Sequence, residues 1–268
     1  MSTPSISHVI SVLNQENKNS CFGGIILTAS HNPGGPDEDF GIKFNNENGG
    51  PASESVTNKA FDCSKKISSF QILDYSSKFS LKENTKLILE KGTFNVEIIS
   101  STKHYTDLMQ NLFDFDKIKT LFNRKDFKFH FDGLHGISGP YAVKIFHEIL
   151  GVPLENLHAC DVLPDFGGHH PDPNLVYATH LVETMDLLNK NPEKSVPDFG
   201  GACDGDADRN MITGSRIFVY PSDSIAVITA NYKCIKHMAG GINGVARSMP
   251  TSSAVDRVAK KINVPVYI

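Results

Sequence analysis

Apolar positions recur with a helical period near the start of the chain, where Ile6, Val9, Ile10 and Leu13 share one face of residues 4–15. The polar run Gln15-Glu16-Asn17-Lys18-Asn19 ends that helix. A short apolar run, Gly23-Gly24-Ile25-Ile26-Leu27, predicts a buried strand and leads into Thr28-Ala29-Ser30-His31-Asn32-Pro33-Gly34-Gly35. That loop therefore lies at the carboxyl end of a strand, the usual edge for ligands in open α/β sheets. From about residue 104 the pattern changes. An amphipathic helix carrying Leu108, Met109, Leu112, Ile118 and Leu121 is followed by the alternating strand Phe127-Lys128-Phe129-His130-Phe131. A helix over 138–150, a strand over 159–163, a helix over 177–188 and a strand over 197–203 complete a doubly wound alternation. Residues 216–220 predict a strand, and Pro221-Ser222-Asp223 opens a long helix through His237. Gly244-Val245-Ala246 leads into Arg247-Ser248-Met249-Pro250-Thr251-Ser252, and a helix over 254–262 and an apolar strand over 264–268 follow. Three units are expected: 1–103, 104–217 and 218–268.

Composition narrows the function class. The 268 residues carry 26 Lys+Arg against 30 Asp+Glu, a formal charge of −4, and 40% are hydrophobic. This is globular arithmetic, with chain enough for one large domain or two smaller ones. No basic block appears, so nothing points to nucleic acid or to a membrane surface. No apolar run reaches the roughly 18 residues of a membrane span, and the start MSTPSISHVI lacks the pattern of a signal peptide. A cytoplasmic location is expected. Five scattered cysteines with no C-x-x-C pair read as reduced thiols. Adjacent His169 and His170 on a Pro-rich loop point in different directions, which makes zinc the weaker reading there.

Asp204-Gly205-Asp206-Ala207-Asp208-Arg209 follows directly on an apolar strand and places three hard oxygen donors at alternate positions, a set suited to Mg²⁺. Alternate residues of a straight strand lie roughly 6.5 Å apart, too far to share one ion at about 2.1 Å, so the chain must curl here. A calcium EF-hand loop would need Gly where Arg209 stands and Glu where Ser215 stands. A solvated acidic turn would explain Asp-Gly-Asp but not its place after a strand.

The Thr28–Gly35 loop sets a hydroxyl beside His31 and glycine-flanked backbone donors, which can carry a phosphoryl group; a plain polar turn is the alternative. A Ser-His-Asp hydrolase fits poorly, since neighbouring Ser30 and His31 do not readily meet and no G-x-S-x-G elbow is present. Charge joins the two loops. A phosphoserine carries about −2, and moving its phosphoryl group calls for a cation, which three aspartates can hold. Lys43 can serve as proton acceptor or charge partner if its hairpin folds beside the loop, or else lie solvated on the surface.

The stretch GGIILTASHNPGGPDEDFGIKFNNENGGPA, together with FDGLHGISGPY, DFGGHHPDPNL, CDGDADRNMI and VARSMPTSSAVDRVA, closely resembles phosphoglucomutase of the α-D-phosphohexomutase superfamily, in the family's order and nearly from end to end. The resemblance implies mixed-sheet α/β domains of the phosphohexomutase type. It implies Ser30 as the phosphorylated serine, and Asp204, Asp206 and Asp208 as the ligands that hold Mg²⁺ together with the serine phosphate. His31 and Lys43 become candidates for proton transfer, and Arg209 and Arg247 for substrate binding. The implied reaction is the reversible conversion of glucose 1-phosphate to glucose 6-phosphate, with a small hexose phosphate as partner and glucose 1,6-bisphosphate as intermediate and activator.

Departures from the family shape the expectation. Ala207 replaces the glycine more often seen in the loop, at a cost of roughly 1–2 kcal/mol if the position is left-handed. The family's N-terminal segment, sugar-selecting loop and C-terminal phosphate-binding domain have no counterpart in these residues. The 268-residue chain alone is therefore expected to turn over poorly and to expose an unprotected final strand. A non-catalytic scaffold or regulatory phosphoprotein of the same family is the alternative. A Mg²⁺-dependent phosphatase with an aspartyl nucleophile stands third.

Overall fold

A computed structural model of the protein describes residues 1–18, 20–72, 80–82, 85–89 and 94–268; Asn19, the end of the first polar run, lies outside them. Helix α1 (Thr3–Glu16) begins where Ser2 accepts from the Ser5 amide and Pro4 sits in the first turn. Its face buries Val9 and Ile10 against strand β1 (Gly23–Leu27), which pairs antiparallel with β2 (Ile42–Asn46) and sets Ile26 opposite Lys43. The expected buried strand is thus present but only half covered: Ile26 is buried, while Ile25 and Leu27 face outward. An exposed helix α2 (Glu54–Ser64) and a hairpin of β3 (Lys86–Leu89) with β4 (Phe94–Glu97) follow.

The helix expected around 104–121 is two, α3 (Lys103–Leu112) and α4 (Phe115–Phe122). Phe113 is extended, and Asp114 restarts the helix by accepting from the Lys117 amide. Beyond them lies a five-stranded sheet in the order β6-β5-β7-β8-β9. Strands β5 (Phe129–Asp132), β6 (Leu157–His158) and β7 (Phe199–Cys203) are parallel, whereas β8 (Asn210–Gly214) and β9 (Ile217–Val219) run antiparallel. Two expectations are corrected here. Lying between β6 and β7, β5 is buried at all four residues and does not alternate in exposure. The strand expected at 159–163 is Leu157–His158, because Ala159 takes a left-handed φ of 48° and turns the chain away from Asp132.

Both faces of this sheet are covered. Helix α5 (Ser138–Ala142), continuing as a π-helical stretch Val143–Ile149, joins α4 over Phe129 and Phe131, with Phe122 and Phe146 in the same cluster. Helix α6 (Thr179–Thr184) covers the other face, burying Leu181, Val182 and Met185 with Ala202 and Met211. After β9, the helix expected to reach His237 stops as α7 (Ser224–Ala230). Residues 232–238 are short 3-10 turns, held by a β-bridge between Ile235 and Phe113. Strand β10 (Val245–Ala246), helix α8 (Ala254–Ile262) and strand β11 (Val266–Tyr267) close over Ala226, Val255 and Ala259. No helix among the described residues is long and apolar enough to cross a membrane.

Candidate active site

The chain turns sharply where β1 ends. Ser30 adopts φ 62°, its amide donates to Thr28 Oγ1 (2.8 Å), and the Asn32 amide closes a turn on the Ala29 carbonyl (3.2 Å). A positive φ at a serine is a strained conformation of the kind found at functional sites. The Ser30 hydroxyl donates to Asp204 Oδ2 at 3.3 Å, which joins the first loop to the acidic one.

The acidic loop curls as three clustered carboxylates require. Ala207 supplies the left-handed turn (φ 62°), its amide donates to the Asp204 carbonyl (3.1 Å), and Asp204 Oδ1 accepts from the amides of Asp208 (3.0 Å) and Arg209 (2.9 Å). One oxygen each of Asp204, Asp206 and Asp208 lies within 4.8 Å of the others. Such a cluster can hold a hard divalent cation. Its electrostatics point the same way. Burial, then the neighbouring Asp206 and Asp208 charges, push the Asp204 carboxyl up to about 6. Asp206 Oδ1 is buried and receives no hydrogen bond from the described residues. A buried carboxylate oxygen without a donor is costly, and a bound cation would remove that cost.

Lys43 Nζ bridges Asp206 Oδ2 (2.6 Å) and Asp208 Oδ2 (2.9 Å). Burial opposes its charge, but the two carboxylates outweigh burial and raise its pKa. Protonated Lys43 therefore acts here as a charge partner. The same interaction, with a hydrogen bond from Thr3, holds Asp206 below the usual carboxylate range against the effect of burial.

The structure thus joins Ser30, Lys43, Asp204, Asp206 and Asp208 in one hydrogen-bonded cluster. His31 stands beside it in sequence, with its Nδ1 buried and unpartnered among the described residues. Arg209 gives the cluster its backbone amide and exposes its side chain. Arg247 is engaged elsewhere, in a fork with Asp256 (2.7 and 2.8 Å) and with the Ser248 and Thr251 carbonyls. Thr3, which sequence patterning missed, donates its hydroxyl to Asp206 Oδ2 (2.7 Å) and its amide to the Asp206 carbonyl (3.0 Å). Only its place in the first turn of a helix marks it in the sequence.

Two family models match the chain. Residues 1–71 match the phosphoglucomutase/phosphomannomutase α/β/α domain I, and residues 103–216 match domain II of the same family. The chain belongs to the phosphoglucomutase/phosphomannomutase family. Phosphoglucomutase-1 of Paramecium tetraurelia is 50% identical across the whole chain, which covers 48% of that protein. The cytoplasmic phosphoglucomutase of Mesembryanthemum crystallinum is 48% identical, again across the whole chain and 46% of the relative. The chain spans about half the length of the curated relatives it matches. Among solved structures, the open form of the exocytosis-sensitive phosphoprotein pp63/parafusin, a Paramecium phosphoglucomutase, superposes with a TM-score of 0.92 at 50% identity, over all of this chain and 48% of that one. A family protein from Burkholderia thailandensis shares the fold at 18% identity, with a TM-score of 0.63 over the whole chain and 49% of its own.

Proposed function

We propose that the chain carries the phosphoserine and cation-binding chemistry with which a phosphoglucomutase interconverts glucose 1-phosphate and glucose 6-phosphate in the cytoplasm, and that these residues alone turn over slowly. The observation that supports this most directly is the Ser30 hydroxyl donating to Asp204 inside the acidic cluster. Ser30 Oγ takes the 1-phosphoryl group of glucose 1,6-bisphosphate: the P–O bond to the sugar breaks as P–Oγ forms, the serine proton passes to the sugar oxygen, and glucose 6-phosphate leaves. Glucose 1-phosphate then accepts the phosphoryl group on its 6-hydroxyl and regenerates the bisphosphate.

Asp204, Asp206 and Asp208 are the residues that would hold Mg²⁺, which when bound neutralises charge on the transferring phosphoryl oxygens. Lys43 balances the acidic loop and adds positive charge near the phosphoserine. Its raised pKa disfavours a role as base, so His31 is the better candidate for moving the proton of the sugar hydroxyl. Arg209, with its exposed side chain at the loop, is a candidate contact for substrate phosphate; Arg247 would be a second one only on leaving its fork with Asp256. Relatives named phosphoglucomutase at 48–50% identity favour glucose as the sugar, and the plant relative named cytoplasmic favours that location.

Incubation with glucose 1,6-bisphosphate and Mg²⁺, followed by peptide mass spectrometry, is expected to find phosphate on Ser30 and none in Ser30→Ala. Phosphate on an aspartate, or on another residue in both proteins, would overturn the assignment and favour an aspartyl phosphatase. No phosphate at all on an intact Ser30 would favour the non-catalytic family member.

A further inference from the structure

The two oxygens of Asp206 have opposite surroundings. Oδ2 accepts from Thr3 Oγ1 (2.7 Å) and from Lys43 Nζ (2.6 Å), whereas Oδ1 is buried without a donor among the described residues. The backbone is held as well: the Thr3 amide donates to the Asp206 carbonyl (3.0 Å), and the adjacent Gly205 donates to the Pro171 carbonyl (3.1 Å) and accepts from the Ile137 amide (3.0 Å). Thr3 is itself fixed from behind. The Ser2 amide donates to the Tyr141 hydroxyl (3.0 Å), which donates to the Ser101 carbonyl (2.6 Å), and Ser2 is buried. A carboxylate side chain is free to rotate about its last torsion, and donors on one oxygen remove that freedom.

We propose that Thr3 is a positioning residue of the cation site, holding Asp206 by its Oδ2 so that Oδ1 stays free as a donor to the ion. The inference rests on the reading of the acidic cluster as a divalent-cation site. The choice of residue type has a physical reason. Lys43 alone can saturate Oδ2 but adds a positive charge that competes with the cation for Asp206 and Asp208, whereas the Thr3 hydroxyl orients the same carboxylate without charge. Thr3 also opens α1, whose Val9 and Ile10 face lies on β1, the strand that leads into the Ser30 loop. One residue therefore ties the position of the acidic loop to the helix that supports the serine loop.

The test is Mg²⁺ titration calorimetry on the full chain, with Mn²⁺ as a second probe. Thr3→Val keeps the β-branched shape and the backbone amide and removes only the hydroxyl. It is expected to weaken Mg²⁺ binding roughly tenfold, the lower end of what loss of an outer-shell partner costs. Thr3→Ser, which restores a donor, is expected to bind within about twofold of the parent chain, a rescue that a merely structural role for the threonine methyl would not give. Metal-free melting of both variants should match the parent, and Asp206→Asn should weaken binding more than Thr3→Val. Thr3→Val binding as tightly as the parent while Asp206→Asn binds poorly would overturn the positioning role and leave the cation site standing. Unchanged affinity in Asp206→Asn would overturn the cation site and the inference with it. Equal weakening in Thr3→Val and Thr3→Ser would assign the effect to packing and overturn the role of the hydroxyl. If Thr3→Val does not fold, the Thr3→Ala and Thr3→Ser pair carries the same comparison.

Discussion

Ser30 lies in the loop that follows a two-stranded ribbon on which Ile26 is 4% exposed beneath α1, while Ile25, Leu27 and Ile42 on the other face are 67%, 66% and 67% exposed. Asp204 directly follows the β7 strand of a five-stranded sheet with a packed core on each face. The turn of the acidic loop is set mostly within its own unit, where Asp204 takes up two loop amides and Ile137 and Pro171 hold Gly205 from either side, while Thr3 and Lys43 reach in from the first unit to Asp206 and Asp208. The serine loop sets its own turn locally but takes its position from the neighbouring unit. The Ser30 carbonyl lies so close to the Gly205 α-carbon that a Cβ there would collide with it, and Gly34 lies against the Pro164 carbonyl and the Phe166 ring in the same way. In this arrangement the larger sheet acts as the reference frame and the ribbon is fitted to it.

That asymmetry is broken most severely from inside the sheet. Leu181 has no solvent exposure and lies with Met185, Ala202 and Met211, so Leu181→Ala is expected to cost about 2–5 kcal/mol of unfolding free energy. Ile25→Ala, on the open face of the ribbon, is expected to stay within about 0.5 kcal/mol. Urea unfolding followed by circular dichroism measures both, and comparable losses would show that the ribbon carries as much of the stability as the sheet.

The fit between the units is tested by Gly205→Ala. The added methyl meets the Ser30 carbonyl, the Phe166 ring at 3.1 Å and Pro171 at 3.2 Å, so the serine loop must move while the sheet core stays untouched. A displacement near 1 Å costs on the order of 100-fold in a positioned reaction, and the rate of Ser30 phosphorylation by glucose 1,6-bisphosphate should fall by about that factor. Quenched-flow mass spectrometry reads the rate. Transfer at the parent rate would mean that the serine loop tolerates a looser fit than the contact implies.

Much of this organisation is legible in the sequence, and the exceptions have physical causes. Helix α1 follows from its apolar spacing, and β1 from the Gly23–Leu27 run, because both are decided by local periodicity. The serine loop and the acidic loop are recognisable as chemistry from their residue types and from their place after a strand. The run 127–131 reads as an alternating strand because Lys128 and His130 are polar; in the fold Lys128 lies outside β5 and is exposed, while His130 is paired with His180 (3.2 Å) and Asp132 with the Leu134 amide (3.0 Å), and both of these are buried. The helix expected through His237 breaks after Ala230, where residues 232–238 answer to a bridge with distant Phe113. Thr3 left no pattern, because its bond to Asp206 joins residues 203 positions apart. Local rules cannot register a contact of that separation.

The smallest expected effect separates the two units by pH. His130 lies in β5, its ring meets His180, and burial with the His180 and His158 rings nearby holds its pKa down to about 4 from an ordinary 6.5. As pH falls from 6.5, the unfolded chain binds a proton at this histidine while the folded chain does not, so stability falls across the window from about 6.5 to about 4. His180, also lowered by burial, contributes with the same sign, and Asp132, raised by burial, with the opposite one. The parent's profile is therefore a sum, and His130→Gln isolates one part of it. Between pH 6.5 and 4.5 the melting temperature of the parent should drop by about 4–8 °C more than that of His130→Gln. The ribbon unit is the control: Ile25→Ala should leave the slope as it is in the parent. Parallel melting profiles for the parent and His130→Gln would show that the buried imidazole of the sheet does not account for acid sensitivity.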